Sequence, residues 1–544
     1  MADDESVCST SGLPHHTRIQ SLYDKGNSCK TAFQLVDGLS CYTQAVDAIA
    51  SLSNPSADID RLACDIYLGL CDIYTLQYQF KEAVDWSKKG QTVATKLQDK
   101  VRMAQCLLRK SEIKRRQGDY NGALQDGKKS LEMKLKCLDE KDARLADSYH
   151  QIGCVYLDLR KLDLCLDMSD KSLQIRLSVL GHNHPHVANS YNNIGGVYHD
   201  QGKYDQAVEM YDKSLQIRLS VLGHNHPDVA SSYNNIGAVY HDQGKIDQAM
   251  DMYDKSLQIR LSVLGHNHPD VASSYNNIGV VYHHQGKIDQ AVEMLHKSLQ
   301  IGLSVLGHNH PDVAWSYHNI GAVYRRQGKY DQAVEMYDKS LQIRLSVLGH
   351  NHPDVAWSYN NIGAVYHHQG KYDQAVEMYD KSLQIRLSVL GHNHPDVANS
   401  YNSIGCVYYG QGKYDQAVDM LHKSLQIELS VLGQNHPDVA SSYDNIGVVY
   451  RCQGKYDQAV DHFHKSLQIA ALSGNDGLVT RIEKNIEITL QKQKSSTSIA
   501  RNWIKSIVKL FQPNQTNNVT APANTIDGSH NNQDVQQKLC KKRN

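Results

Sequence analysis

Three sets of residues in this sequence carry chemistry at a fixed spacing. The first is a row of asparagines, Asn193, Asn235, Asn277, Asn319, Asn361 and Asn445, set 42 residues apart and broken once, by Ser403. A carboxamide both donates and accepts a hydrogen bond, so such a row can pair with the amides and carbonyls of an extended peptide whatever its side chains. The second set is Trp315 and Trp357, which occupy the same place in two successive copies of "PDVAWSY". An indole on a surface anchors a partner, or else it covers a neighbouring helix. The third is a pair of positions whose charge changes from copy to copy. It reads His199-Asp200, His241-Asp242, His283-His284, Arg325-Arg326, His367-His368, Tyr409-Gly410 and Arg451-Cys452. The middle of that series is cationic, or becomes so near roughly pH 6, where ordinary histidine titrates. An acidic peptide is attracted to such a stretch.

Other chemistries find no support. No P-loop, nucleophile elbow or dinucleotide fingerprint occurs, so no catalytic residues are expected and the chain reads as non-enzymatic. "GHNHP" places two histidines close together, as at His224 and His226, but supplies no third or fourth ligand in fixed geometry. A structural role at a helix start is expected instead, with no metal and no cofactor. Lys plus Arg number 57 against 58 Asp plus Glu, so no net field favours nucleic acid. The 12 cysteines are scattered with no C-x-x-C pair, as expected of small buried residues in a reducing compartment. "MADDESVCST" is acidic and polar, unlike a signal peptide, and no window approaches the roughly 18 apolar residues of a membrane span. A cytoplasmic protein is expected.

The elements that position these residues follow from a repeat. Prolines stand at 185, 227, 269, 311, 353, 395 and 437, always 42 residues apart. A period of this size means a solenoid. Within a unit, Val229, Tyr233, Ile236, Gly237 and Tyr240 recur at helical spacing, as do Tyr204, Ala207, Val208, Tyr211, Leu215 and Leu219. Gly202 and Gly223 can end these helices in the left-handed conformation, and Pro227 with Asp228 suits a helix start. Each unit is therefore a helix hairpin. The 32 tyrosines against 4 Phe and 4 Trp fit one motif copied many times.

The pattern divides the chain as follows: a disordered N-terminus at 1–15, divergent hairpins at 16–142, a regular array at 143–473, a capping helix at 474–494, an amphipathic segment at 495–512 and a disordered tail at 513–544. About eleven hairpins are expected. The cap carries Leu478, Ile482, Ile486 and Leu490 on one stripe. In 498–511, Ile499, Trp503, Ile507, Leu510 and Phe511 oppose Arg501, Lys505 and Lys509. That segment could bind a membrane surface, fold back onto the array or recruit a partner.

Two sister stretches, Pro227 to Gly244 and Pro311 to Gly328, differ at four positions: Ser231 to Trp315, Asn234 to His318, His241 to Arg325 and Asp242 to Arg326. On a wheel of about 100° per residue with Ser231 at zero, the packing residues fall between roughly 140° and 240°. The four substitutions fall on the opposite arc, so they are expected on an open face, with Asn235 beside them. Second-helix positions such as Asp205, Gln206, Lys213 and Gln216 are the same in every full unit, as are Ser190 and Gln201 of the first helix. Asp212 and Arg218, by contrast, give way to His296 and to Gly302 or Glu428.

The spacing Tyr317-x-x-Ile320-Gly321-x-x-Tyr324, then Ala333-x-x-x-Tyr337, resembles the tetratricopeptide repeat. The 42-residue unit "SLxIxxxxLGxxHPDVAxSYNNIGxVYxxQGKYDxA" is similar to the repeats of kinesin light chain and nephrocystin-type proteins, strongly over 143–472 and weakly over 16–142. That resemblance implies an all-α, right-handed superhelix of stacked hairpins whose first helices line a concave groove. Asparagine ladders at this position hold peptide backbones in O-GlcNAc transferase and similar arrays. Kinesin light chain grooves take cargo peptides with an aromatic residue flanked by acidic ones. The resemblance thus implies a scaffold for extended acidic peptides, or a cargo adaptor that partners a kinesin heavy chain. Kinesin light chains carry an N-terminal heptad coiled coil, whereas here hairpins begin almost at once, which argues against a motor subunit. The first units also resemble domains that clamp the C-terminal carboxylate of heat-shock chaperones, but only Asn27 and Arg109 match, with Tyr23, Gly69 and Gln105 in the other places.

Overall fold

The computed structural model describes residues 15–31, 34–472 and 476–493. Among these residues every regular element is an α-helix. The N-terminal hairpins are α1 (His15–Thr31) with α2 (Leu35–Ala50), α3 (Ala57–Leu76) with α4 (Phe80–Lys96) and α5 (Lys100–Arg116) with α6 (Tyr120–Leu135). Next come α7 (Ala143–Asp158) with α8 (Leu162–Leu180), α9 (Pro185–Asp200) with α10 (Tyr204–Leu222) and α11 (Pro227–Asp242) with α12 (Ile246–Leu264). Then follow α13 (Pro269–His284) with α14 (Ile288–Val305), α15 (Pro311–Arg326) with α16 (Tyr330–Leu348) and α17 (Pro353–His368) with α18 (Tyr372–Leu390). The series closes with α19 (Pro395–Gly410), α20 (Tyr414–Val431), α21 (Pro437–Cys452), α22 (Tyr456–Leu472) and a last helix, α23 (Asp476–Lys492). No helix of the described residues is long and apolar enough to cross a membrane. The N-terminal 1–14, the segment 498–511 and the tail from 513 lie outside the described residues.

Local chemistry sets the helix ends. Pro269 supplies the fixed φ of a first helical turn, and His268 before it is extended (φ −117, ψ 142). Its ring Nδ1 accepts the backbone N–H of Asp270 at 3.1 Å, so the second histidine of "GHNHP" is the helix cap. His184, His226, His310, His394 and His436 do the same. First helices end at glycines such as Gly202 (φ 70). In the first hairpin of the regular array Arg160 holds that place with φ 54, and in the divergent hairpins Tyr78 and Gln98 are likewise left-handed. An L side chain meets its own backbone there, where glycine does not.

The described helices fall into two compact units. One takes the described residues up to His241, then Ile246–Ser316 and Ile343–His352; the other takes Asp242–Lys245, Tyr317–Gln342 and the described residues from Pro353 on. In the first unit, Ala207, Tyr211 and Leu215 of α10 pack on Val229, Ile236 and Val239 of α11. In the second, Ala375, Tyr379 and Leu383 of α18 repeat that contact with Val397, Ile404 and Val407 of α19. Leu478, Ile482 and Ile486 of α23 join the apolar cluster of α21 and α22. Hairpins close tightly because a glycine faces a large side chain: a Cβ at Gly447 would lie 2.7 Å from the Phe463 ring.

Candidate functional site: the polar face of the first helices

Asn193, Asn235, Asn277 and Asn445 of the asparagine row each tie a first helix to the one before it. In the first unit Asn193 Nδ2 donates to His150 Nδ1 at 3.2 Å, Asn235 Nδ2 to Asn192 Oδ1 at 2.8 Å and Asn277 Nδ2 to Asn234 Oδ1 at 2.7 Å. In the second, Asn445 Nδ2 donates to Asn402 Oδ1 at 3.2 Å. The last rung reaches α23, where Asn485 Nδ2 donates to Asp444 Oδ1 at 2.9 Å and Arg481 pairs with Asp444 at 3.2 Å. The accepting residues, one position before each row member, escaped the sequence reading. The repeated doublet in "YNNIG" is the signal that could have found them. A ladder amide spends one N–H on its neighbour and keeps a second N–H and its carbonyl for other partners.

The ladder changes character across α15, α17 and α19, within the second unit. His318 replaces the accepting asparagine and lies under Trp357, with ring centroids 3.7 Å apart. His318 is only 6% exposed, because the indole covers it on one side while Tyr337 stands 4.9 Å away. His318, expected on the open face, is therefore buried beneath Trp357, which is itself half-buried. Asn361 Nδ2 turns onto its own helix and donates to Trp357 O at 2.8 Å. At the next rung Ser403 has no amide to offer, and Asn360 Oδ1 is buried with no hydrogen-bond partner. Such an orphan acceptor costs about 1–3 kcal/mol. Asn319, expected on the open face, is also buried.

The charged pairs spread over both units. His241 Nε2 and His284 Nδ1 of the first unit lie within hydrogen-bond distance at 2.7 Å, their rings stacked at 4.6 Å, with His283 next to His284. In the second unit Arg325 Nη1 donates to His368 Nε2 at 3.4 Å, and His368 stacks parallel to Tyr330. His367 is buried, which pushes its pKa down, so it is no ready cation. Arg326 is exposed. Trp315 belongs to the first unit and is 46% exposed.

A second feature of the repeat is a buried arginine on five second helices, Arg176, Arg218, Arg260, Arg344 and Arg386. Arg218 Nη1 donates to Asp228 O at 3.0 Å and to Ser232 Oγ at 2.7 Å, and Nη2 reaches Asn189 Oδ1 at 2.8 Å. Arg176, Arg260 and Arg386 make the matching bonds to the serines ten-and-four residues on, Ser190, Ser274 and Ser400. The guanidinium staples one hairpin to the next. At this position Glu428 instead accepts from Ser424 (3.0 Å) and Ser442 (2.6 Å), and burial pushes its carboxyl pKa up. The sequence places these variable positions on the second helix; the structure buries them. Gln411 and Gln453 donate across the stack to Asp373 and Asp415 at 2.9 and 2.8 Å, which explains why outward-facing polar residues recur unchanged.

Antiparallel helix hairpins stapled in this way define a helix-repeat solenoid. The chain belongs to the tetratricopeptide repeat family, whose pattern matches residues 144–220, 186–262, 228–301, 270–346, 317–379, 354–427 and 407–471. The tetratricopeptide repeat is a protein-interaction fold, and this chain is a protein-interaction scaffold. Comparison with curated protein sequences gives no match. Among solved structures, the chain is similar to nearly identical TPR-like repeats from Podosopora anserina described as kinesin light chain, at 24% identity and TM-score 0.35, over 38% of this chain and 99% of that one. It is similar to BtubC (BKLC) from P. vanneervenii at 22% identity and TM-score 0.34, over 43% and 92%. Yeast Tom70 aligns at 14% identity and TM-score 0.44, over 90% and 100%.

Proposed function

We propose that the chain is a non-enzymatic cytoplasmic scaffold that takes an extended acidic peptide on the polar face of α15, α17 and α19. One observation carries this reading: the ladder that commits polar groups to neighbouring helices elsewhere is interrupted there, at His318, Asn360, Asn361 and Ser403. Trp357 stands at the interruption as the anchor for an apolar or aromatic side chain. Arg325 and Arg326 lie at the end of the same face and set the preference for acidic residues. An orphaned acceptor at Asn360 is a stability cost of the kind that functional sites carry.

The test is fluorescence anisotropy of the full chain with a labelled peptide of Glu and Asp residues around one central Trp. Trp357→Ala is expected to weaken binding by about tenfold or more, ~1.4 kcal/mol. Arg325→Ala with Arg326→Ala is expected to flatten its salt dependence. Unchanged affinity in both variants, with folding checked by circular dichroism, sinks the assignment.

A further inference from the structure

On α14 the buried arginine gives way to glycine, which leaves its place empty of side chain. Arg260 of α12 is held by three groups: Asp270 O at 3.0 Å, Ser274 Oγ at 2.8 Å and Ser231 Oγ at 3.5 Å. One period later the arginine becomes Gly302, while the three holders return as Asp312, Ser316 and Ser273. All three line a cavity of about 170 Å³ that opens at Gly302 within the first unit. Ser298 turns into this space and shares a hydrogen bond with Ser316 at 3.2 Å, where its counterparts Ser214 and Ser256 make none. On the following first helix, α15, serine gives way to Trp315, and that indole lines the cavity too. Two departures from the repeat, a lost arginine and a gained tryptophan, therefore meet at one place.

We propose that this cavity is a guanidinium socket, which takes the head of an arginine side chain supplied from outside the array. The holders are already placed for it, since the sister repeats use them on their own arginines. A guanidinium presents its donors in a fixed planar fork, which suits a carbonyl and two hydroxyls set around a slot. The Asp312 carboxylate supplies the charge that Asp270 supplies to Arg260. His310 lies 3.7 Å from that carboxylate, but its Nδ1 is engaged as acceptor of the Asp312 N–H at 3.2 Å, and burial pushes its pKa down. The Trp315 face can stack on the guanidinium plane. The mouth is reachable, because Trp315, Asp312 and Ser273 are all exposed. This site lies in the first unit and does not depend on the acidic-peptide reading.

The experiment is saturation-transfer NMR on the full chain with ethylguanidinium, with ethylammonium as the control. Saturable binding of ethylguanidinium alone is expected, weakened by about tenfold in Gly302→Arg, where the chain's own arginine fills the slot. A Cβ at Gly302 would meet Val313 Cγ2 at 3.1 Å, so that helix must give slightly. Ser316→Ala, which removes one holder, is the second variant and is expected to weaken binding as well. Tighter binding of blocked Gly-Arg-Gly than of free arginine assigns the socket to a protein partner, and the reverse assigns it to a small molecule. Absence of saturable binding, equal binding of ethylammonium, or binding unchanged in both variants overturns the proposal.

Discussion

Ser403 is the residue on which the ladder turns. An asparagine there would donate to Asn360 as Asn445 donates to Asn402 at 3.2 Å. Ser403→Asn is therefore expected to raise stability by about 1 kcal/mol, read by chemical denaturation, and to weaken binding of the acidic Trp peptide. Glu428 makes a prediction of opposite character. Its folded carboxyl pKa is raised by burial, so the native state holds a proton that the unfolded chain releases. Stability then falls as pH rises from the ordinary glutamate range through the folded pKa. Glu428→Gln is expected to remove that slope and raise the melting temperature at neutral pH. His150 works the other way: burial lowers its pKa from 6.5 to about 4. Its contribution is present above 6.5 and is lost as pH falls towards about 4. His150→Asn keeps a rung acceptor and is expected to flatten the acid limb of a melting-temperature profile. None of these pairings was legible in the chain alone. The wheel gives the side a residue faces but not which neighbour covers it, and Trp357 over His318 depends on the spacing between two helices.

The helices themselves were legible, because each carries its own punctuation. Pro at the first turn, histidine before it and Gly after "Q" mark the helix ends of every hairpin from α9 to α22, and the expected pairs are found. The α7–α8 hairpin, first of the regular array, was harder, since Arg160 stands where Gly202 stands one period later. Arg160→Gly is expected to stabilise the α7–α8 turn by about 1 kcal/mol, because it removes a left-handed L residue whose side chain makes an exposed pair to Asp200. The opposite effect is expected of Gly447→Ala. Its Cβ would press on the Phe463 ring, and overpacking of this kind costs about 1–3 kcal/mol. The Gly302 position shows the limit of element-scale reading. A variable residue on a second helix resembles surface drift until the structure shows its sisters buried as staples.

For the molecule as a whole, a stack of near-identical hairpins gains its stability from neighbours, and its ends are the weak points. α23 closes one end with Leu478, Ile482 and Ile486 and with the Asn485–Asp444 rung. Removing residues 476–493 is expected to speed amide exchange in α21 and α22 first, and to leave α9 and α10 protected. The central claim is that the ligand lies where the ladder is interrupted. Hydrogen exchange of the full chain with and without the acidic Trp peptide tests it most directly. The account predicts added protection on α15, α17 and α19, with α9 and α11 unchanged. Protection confined to the second helices, or spread evenly over all first helices, would contradict it.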